Sequence, residues 1–444
     1  MLVDRRVKIV ATIGPATQSP EALEKAMRSG MNVARLNFSH GTHENHQKVI
    51  HSLRAISKKL NAPITILQDL QGPKVRVGKF ENGSIEFIEG EKVIITIDKV
   101  LGKPGLIPSD FPELVESVAA GHKILLDDGL LELKVLAVRG SEIDCEVIYG
   151  GVLKDRKGMN VPEADLAVDC LTEKDLIDLQ FGLEQGVDCI ALSFVRREQD
   201  IRRLRELIDV KNPNTKICAK IEMLEALDNL EEIIRLSDVV MVARGDLAVE
   251  IGQSRLPGVQ KTIIRLANEM NKPVITATQM LDSMVENPRP TRAEITDVAN
   301  AVLDGSDALM LSAESASGKY PFRCIRTMHE IICEVESKID RFYKLSMDQE
   351  FLSPAGAIGA SASLSALKLD AKVIVCLTSS GRTANIISGY RPKARIVAVT
   401  DNLEALNRLE ILWGVQTLLI RPYSNLEQVV EQVEKILVQY GLAK

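Results

Sequence analysis

Three residues able to do chemistry stand at the ends of two apolar runs. Lys220 and Glu222 close the run that begins Lys216-Ile217-Cys218-Ala219, and Asp246 follows the run 238–243 by way of Arg244-Gly245. An ammonium and two carboxylates at such strand ends are suited to holding a divalent cation against a developing oxyanion and a transferring phosphoryl group. Phosphoryl transfer asks for positioning, cations and in-line geometry rather than covalent help. Carboxylate oxygens are the hard ligands Mg2+ takes, one or two per ion, with substrate oxygens completing the shell. A lysine adds a fixed positive charge aimed at the reacting centre.

Positioning these groups needs a scaffold of parallel strands. Apolar runs near 7–13, 33–39 and 64–70 alternate with helical stretches, one opening at Ser19-Pro20 and ending at Gly30, another near 43–60. Strand, helix, strand is the rhythm of a parallel α/β fold. It breaks after Gly72-Pro73, where short β-rich runs continue to about residue 168 and predict a small inserted β-barrel. It resumes with a helix at 172–185 and strands at 188–194, 216–221, 238–243, 273–277 and 308–312. Three strands before the insert and five after make eight, which close most economically as a TIM (β/α)8 barrel. Its C-terminal rim then collects Arg35, Asn37, Asp69, Ser193, Lys220, Glu222, Asp246, Thr278 and Ser312. From about 340 the chain reads as an open α/β domain: a helix at 355–369, strands at 371–377, 394–399 and 415–420, and a helix at 425–439. The expected division is 1–72 plus 170–339 for the catalytic barrel, 73–169 for a lid and 340–444 for a C-terminal regulatory-type domain.

The chain has 444 residues and a net charge of −6, with both signs interspersed. That argues against a general nucleic-acid binder. No run reaches the length of a membrane span, and no leader-like start is evident, so a soluble cytoplasmic protein is expected. Seven cysteines occur without a CxxC pair, mostly in apolar runs, and read as reduced core residues.

The motifs Arg35-Leu36-Asn37-Phe38-Ser39-His40-Gly41, Asp69 to Arg76, Lys157-Gly158-Met159-Asn160, Lys220-Ile221-Glu222, Met241 to Glu250, Thr278-Gln279-Met280, Pro290 to Asp297 and Leu311 to Pro321 occur in that order. Together they resemble the pyruvate kinase family, over about residues 5–340 and more loosely to 435. The resemblance implies phosphoryl transfer from phosphoenolpyruvate to ADP in the last step of glycolysis, through a Mg2+-stabilised enolate. It implies Mg2+ (or Mn2+) on Glu222 and Asp246, and Lys220 between the leaving and attacking oxygens. Arg35 would clamp the phosphate, and Gly245, Asp246 and Thr278 would hold the substrate carboxylate. Thr278 and Ser312 would serve the proton relay. His40, Arg76, Lys157, Asn37 and Asp128, with Asp127, would face the nucleotide, and the insert would close over ADP. Arg292 lies in a stretch the family places at a subunit contact, which implies a homotetramer.

Departures from the family pattern carry further expectations. Family members commonly bind K+ through residues matching Asn37, Ser39, Asp69 and the position of Leu70, with Thr there and Glu at the position of Lys74. Leucine offers no hydroxyl, and lysine brings a tethered ammonium. Activity without K+ is therefore expected, with Lys74 as the substitute cation. Ala248, Ala313 and Ser315 are smaller departures. The C-terminal domain reads as shortened, ending at Leu442-Ala443-Lys444. The turn Thr378-Ser379-Ser380-Gly381-Arg382-Thr383 still has the character of a phosphate-binding strand-to-helix turn. A sugar-monophosphate or nucleotide effector, or none, is expected there rather than a sugar bisphosphate.

Plainer readings exist for several of these residues. Lys220, Glu222 and Asp246 could form a structural salt-bridge set. His40, His43 and His46 read as a solvated helix start rather than a metal cluster. The turn 378–383 could be only a capped helix start, Lys74 could only pair with an acid of the lid, and Trp413 reads as core or interface. Two other classes compete with the transferase: a lyase or aldolase acting on pyruvate enolate, and a non-catalytic interaction protein on the same fold.

Overall fold

The structure, a computed structural model, describes residues 5–162, 169–338, 353–439 and 441. Eight parallel strands close a barrel: β1 Lys8–Ile13, β2 Val33–Asn37, β3 Thr65–Asp69, β4 Cys189–Leu192, β5 Lys216–Ile221, β6 Val239–Ala243, β7 Val274–Ala277 and β8 Ala308–Leu311. Each strand pairs with the next, and β1 closes the ring on β8 through Lys8↔Ala308 and Val10↔Met310. Side chains alternate across the strands. Ile9 and Ala11 pack outward with helix residues such as Leu23 and Ala26, while Val10, Leu67, Cys218, Met241 and Met310 belong to a second cluster. Both faces of each strand are thus dry, as expected where helices cover a parallel sheet.

Several helices start where a side chain can satisfy the first backbone donors. Thr42 caps His43–Leu60, and Thr172 and Thr291 form capping boxes with Asp175 and Glu294. These caps set where those three chain segments enter their helices.

The insert leaves the barrel after β3. Its residues form a six-stranded sheet, from Met159–Asn160 at one edge to Leu106–Pro108 at the other, and a two-stranded ribbon of Ser84–Phe87 with Gly151–Lys154. Both share one core that includes Val77, Phe87, Val93, Ile95, Leu133 and Met159. The hinge passes through Gly72 at φ 69°, where a Cβ would stand 2.6 Å from the Phe194 ring. Glycine is the residue that tolerates both the left-handed backbone and that approach.

The C-terminal part is a three-stranded parallel sheet, Val373–Leu377, Arg395–Thr400 and Val415–Leu419, with helices Pro354–Lys368, Arg382–Gly389, Leu403–Leu409 and Leu426–Gln439. It docks on the N-terminal end of the barrel through buried polar contacts. Arg391 pairs with Asp307 at 2.9 Å and Lys8 with Glu410 at 3.6 Å. The guanidinium groups of Arg6 and Arg391 lie over the Trp413 ring, at 5.2 and 4.8 Å from its centre. The expected boundary between residues 339 and 340 and the chain end at 442–444 lie outside the described residues.

Candidate active site

The C-terminal ends of β2 to β8 bring together most of the polar residues singled out in the sequence. At the centre is Lys220. Its ammonium donates to Ser193 Oγ at 2.6 Å and lies 3.4 Å from Asp69 Oδ1 and 3.3 Å from Glu222 Oε2. Burial works against its charge, but Asp69 and Glu222 outweigh burial and raise its pKa, so Lys220 stays an ammonium. Burial likewise opposes the Asp69 charge, yet Lys220 and Arg35 hold its carboxyl below the usual range. Arg35 donates through Nε to Asp69 Oδ2 at 2.7 Å and through an NH1 hydrogen to Thr12 Oγ1 at 2.9 Å.

Glu222 is fully buried. Its Oε1 accepts from the Phe194 N–H at 2.7 Å, while Oε2 has no hydrogen bond, only the ion pair with Lys220. Burial, with the nearby Asp246 charge, pushes this carboxyl up. A buried carboxylate oxygen left without a donor, beside a second carboxylate, is a place where a cation would be welcome. Among the described residues no three His, Cys, Asp or Glu side chains form a closed metal cage. Two carboxylates fit Mg2+, which leaves most of its shell to substrate and water. Asp246 and Gly245 open helix Arg244–Ile251, which starts directly at the end of β6.

After β7, Thr278 and Gln279 both adopt left-handed backbone, at φ 69° and 53°. Thr278 Oγ1 accepts from the Gly245 N–H at 2.9 Å and donates to Ala277 O at 2.7 Å. The buried Arg244 stitches this turn, donating to Ala277 O at 3.1 Å and Thr278 O at 2.6 Å and pairing with Asp297 at 2.8 Å. Ser312 follows β8 on the same rim, with its N–H donating to Glu314 Oε2 at 2.6 Å.

Other named residues fall into separate groups. Lys74, two residues after Gly72, lies 3.1 Å from Asp246 Oδ1. It is not paired with Asp69, Asn37 or Ser39; Asn37 Oδ1 accepts from the Ser39 N–H at 3.1 Å, and Leu70 is fully buried. The acid that Lys74 meets belongs to the barrel, not to the insert. His40 and Asp128 are exposed, Arg76 donates to Arg156 O at 3.0 Å, and Lys157 pairs with Asp127 at 2.8 Å. His43 pairs with Asp178 at 2.6 Å and stacks on Phe181, and His46 stacks on Phe38, so these rings serve packing. The turn 378–383 lies on the C-terminal sheet: Thr378 Oγ1 accepts from the Gly381 N–H at 2.8 Å, and Ser379, Ser380, Arg382 and Thr383 are exposed.

Several contributors had no role assigned from sequence. Thr12 orients Arg35, Ser193 accepts from the Lys220 ammonium, and Arg244 fixes the Thr278 turn. Thr12 and Ser193 carry a legible signal, a hydroxyl at the end of an apolar strand. Asn160 and Glu250 each close one of the motifs quoted above, but nothing in the sequence pairs two residues 90 positions apart. They meet at 3.2 Å, with both side chains buried. Burial pushes the Glu250 carboxyl up to about 7, with Glu225 and Asp246 adding to the shift.

Comparison with known proteins gives a consistent result. A family model described as pyruvate kinase, barrel domain, matches residues 4–325, and one described as pyruvate kinase, alpha/beta domain, matches residues 356–444. A pyruvate kinase of Geobacillus stearothermophilus is 46% identical over 445 residues, covering 99% of this chain and 76% of the relative. One of Staphylococcus aureus (strain MRSA252) is 44% identical over 442 residues, covering 98% and 75%. The crystal structure of a pyruvate kinase from Cryptosporidium parvum superposes with a TM-score of 0.95 at 38% identity, covering 100% of this chain and 94% of that one.

Proposed function

The chain belongs to the pyruvate kinase family, a family of phosphotransferases, and from that premise we propose that it moves the phosphoryl group of phosphoenolpyruvate to ADP at the rim described above. One observation carries the assignment: Lys220 is kept charged between Asp69 and Glu222, while Glu222 Oε2 is buried without a hydrogen bond. Glu222 and Asp246 would hold Mg2+, which when bound supplies a hard positive charge to the oxygens of the substrate. Arg35, oriented by Asp69 and Thr12, binds the phosphoryl group through its planar fork. Lys220 stabilises negative charge on the transferring group and leaving oxygen. The Gly245 and Asp246 N–H groups and the Thr278 hydroxyl receive the substrate carboxylate. Thr278 and Ser312 are the candidates for passing a proton to the enolate carbon.

The insert, residues 73–169, acts in this reading as a lid that brings Lys157, Asp128 and Arg76 to the nucleotide and excludes water. His40 and Asn37 serve the nucleotide side of the barrel. The barrel comprises 1–72 and 170–339, and 340–444 form the regulatory-type domain. The exposed hydroxyls and Arg382 at the turn 378–383 are proposed to receive an effector phosphate. A homotetramer with Arg292 near a subunit contact completes the reading.

Activity without K+ rests on Lys74. Its ammonium is a tethered cation at the rim, 3.1 Å from Asp246 and not paired with Asn37, Ser39 or Asp69. The test is a coupled assay of pyruvate formation. The wild type should keep most of its rate when a large organic cation replaces K+, and Lys74→Glu should become K+-responsive. A wild type that loses most activity and regains it with K+ refutes the claim. Lys220→Met should lower kcat by about a thousandfold with the fold intact by circular dichroism, since a preorganised charge at an oxyanion is worth about 10²–10³ in rate.

A further inference from the structure

Among the described residues, three contacts from the insert to the barrel rim fall on one short element. Helix Arg244–Ile251 carries Gly245 and Asp246 in its first turn and Glu250 one turn later, on the same side as Asp246. Lys74, at the start of the insert, reaches Asp246 at 3.1 Å. Asn160, at its far end, donates Nδ2–H to Glu250 Oε1 at 3.2 Å. Gly129 comes within 3.9 Å of Val249, measured from an added Cβ. Asn160 and Glu250 are only 8% and 7% exposed, although they belong to different units. Each would meet water if the insert swung away.

What Asn160 holds in place matters as much as what it touches. Strand Met159–Asn160 pairs antiparallel with Lys123–Leu126, through Met159↔Leu126 and Asn160↔Leu125. Lys157 lies just before one partner and Asp127-Asp128 just after the other, and Lys157 and Asp127 are ion-paired at 2.8 Å. Fixing Asn160 therefore fixes both segments that the lid would present to the nucleotide.

We propose that the Asn160–Glu250 hydrogen bond is the latch that seats the insert on the catalytic helix, which makes Glu250 and Asn160 positioning residues for nucleotide binding. The claim rests on the lid reading above. A carboxylate acceptor pressed against a single amide in a dry seam makes a directional link. An apolar contact would not fix the angle at which the insert arrives. Removing one member leaves the other buried and unpaired, so the closed arrangement loses more than the bond alone.

The test is a double-mutant cycle with two readouts. Asn160→Ala and Glu250→Ala should each raise KM for ADP roughly tenfold, the scale of one buried charge-assisted hydrogen bond, and change KM for phosphoenolpyruvate less than twofold. The double variant should be no worse than the worse single. Glu250→Gln keeps an acceptor for the Asn160 amide and should restore KM for ADP to within about threefold. Hydrogen exchange without any substrate reads the latch independently of turnover. Either alanine variant should speed exchange in both Met159–Asn160 and Arg244–Ile251, and leave helix Pro321–Ser337 unchanged. Multiplicative effects in the cycle, equal effects on both substrates, or unchanged exchange at the two segments would each overturn the latch. A wild type that forms no pyruvate but shows the exchange coupling would instead overturn the lid reading and leave the contact standing.

Discussion

At the scale of single residues, the rim is a balance of charges kept dry. Asp69 is held ionised because two cations face it, and Glu222 is pushed toward neutrality because burial and Asp246 outweigh one lysine. Glu250 gives a measurable consequence in pH. Its carboxyl is raised by burial from an ordinary 4.5 to about 7. A raised acid binds its proton more tightly in the folded state. Its contribution to stability is therefore full below pH 4.5 and disappears as pH rises through 7. At about 1.4 kcal/mol per pH unit this amounts to roughly 3 kcal/mol. In a chelator, denaturant titration of the wild type should show stability falling between pH 5 and 7, and Glu250→Gln should flatten that fall. Parallel wild-type and variant curves would contradict the shift.

At the scale of elements, each barrel strand delivers one or two polar groups as its backbone leaves the sheet, and the following turn sets their direction. The left-handed Thr278 and Gln279 show such a turn, held by Arg244. Gly72 shows another, at the hinge. Gly72→Ala should destabilise the protein by about 1–3 kcal/mol, because the added Cβ meets both an unfavourable φ and the Phe194 ring. The midpoint of thermal unfolding would check this, and a shift within error would show that the hinge can relax. The legibility of the elements followed their physics. The strand and helix runs were visible because period and caps are local properties, as with Ser19-Pro20 and Gly30 around the first helix. The tether of Lys74 was not visible. Its sequence neighbours say nothing about a partner 172 residues away.

At the scale of the molecule, the C-terminal sheet is tied to the barrel floor by buried charge. Arg391 is at once an ion-pair partner of Asp307, a donor to Asn268 Oδ1 at 2.7 Å and a lid on the Trp413 ring. Arg391→Ala would leave Asp307 charged or protonated in a dry seam, and breaking a buried pair in this way costs about 3–5 kcal/mol. The expected result is a separate, earlier unfolding step of the C-terminal part in calorimetry. One cooperative transition at the wild-type temperature would show that the seam is held by other contacts. Among the described residues no helix is long and apolar enough to cross a membrane.

The order of apolar runs determined the eight strands, the insert and the C-terminal sheet, and the motifs at the run ends determined the candidate chemistry of Lys220, Glu222, Asp246 and Arg35. These depend on local periodicity and on side-chain type, which a linear chain already contains. Which acid Lys74 meets, which hydroxyl steers Arg35 and which amide covers Glu250 were decided only when the barrel closed. Those are distances between segments far apart in the chain, and they are set by how whole surfaces pack rather than by any residue's own preference.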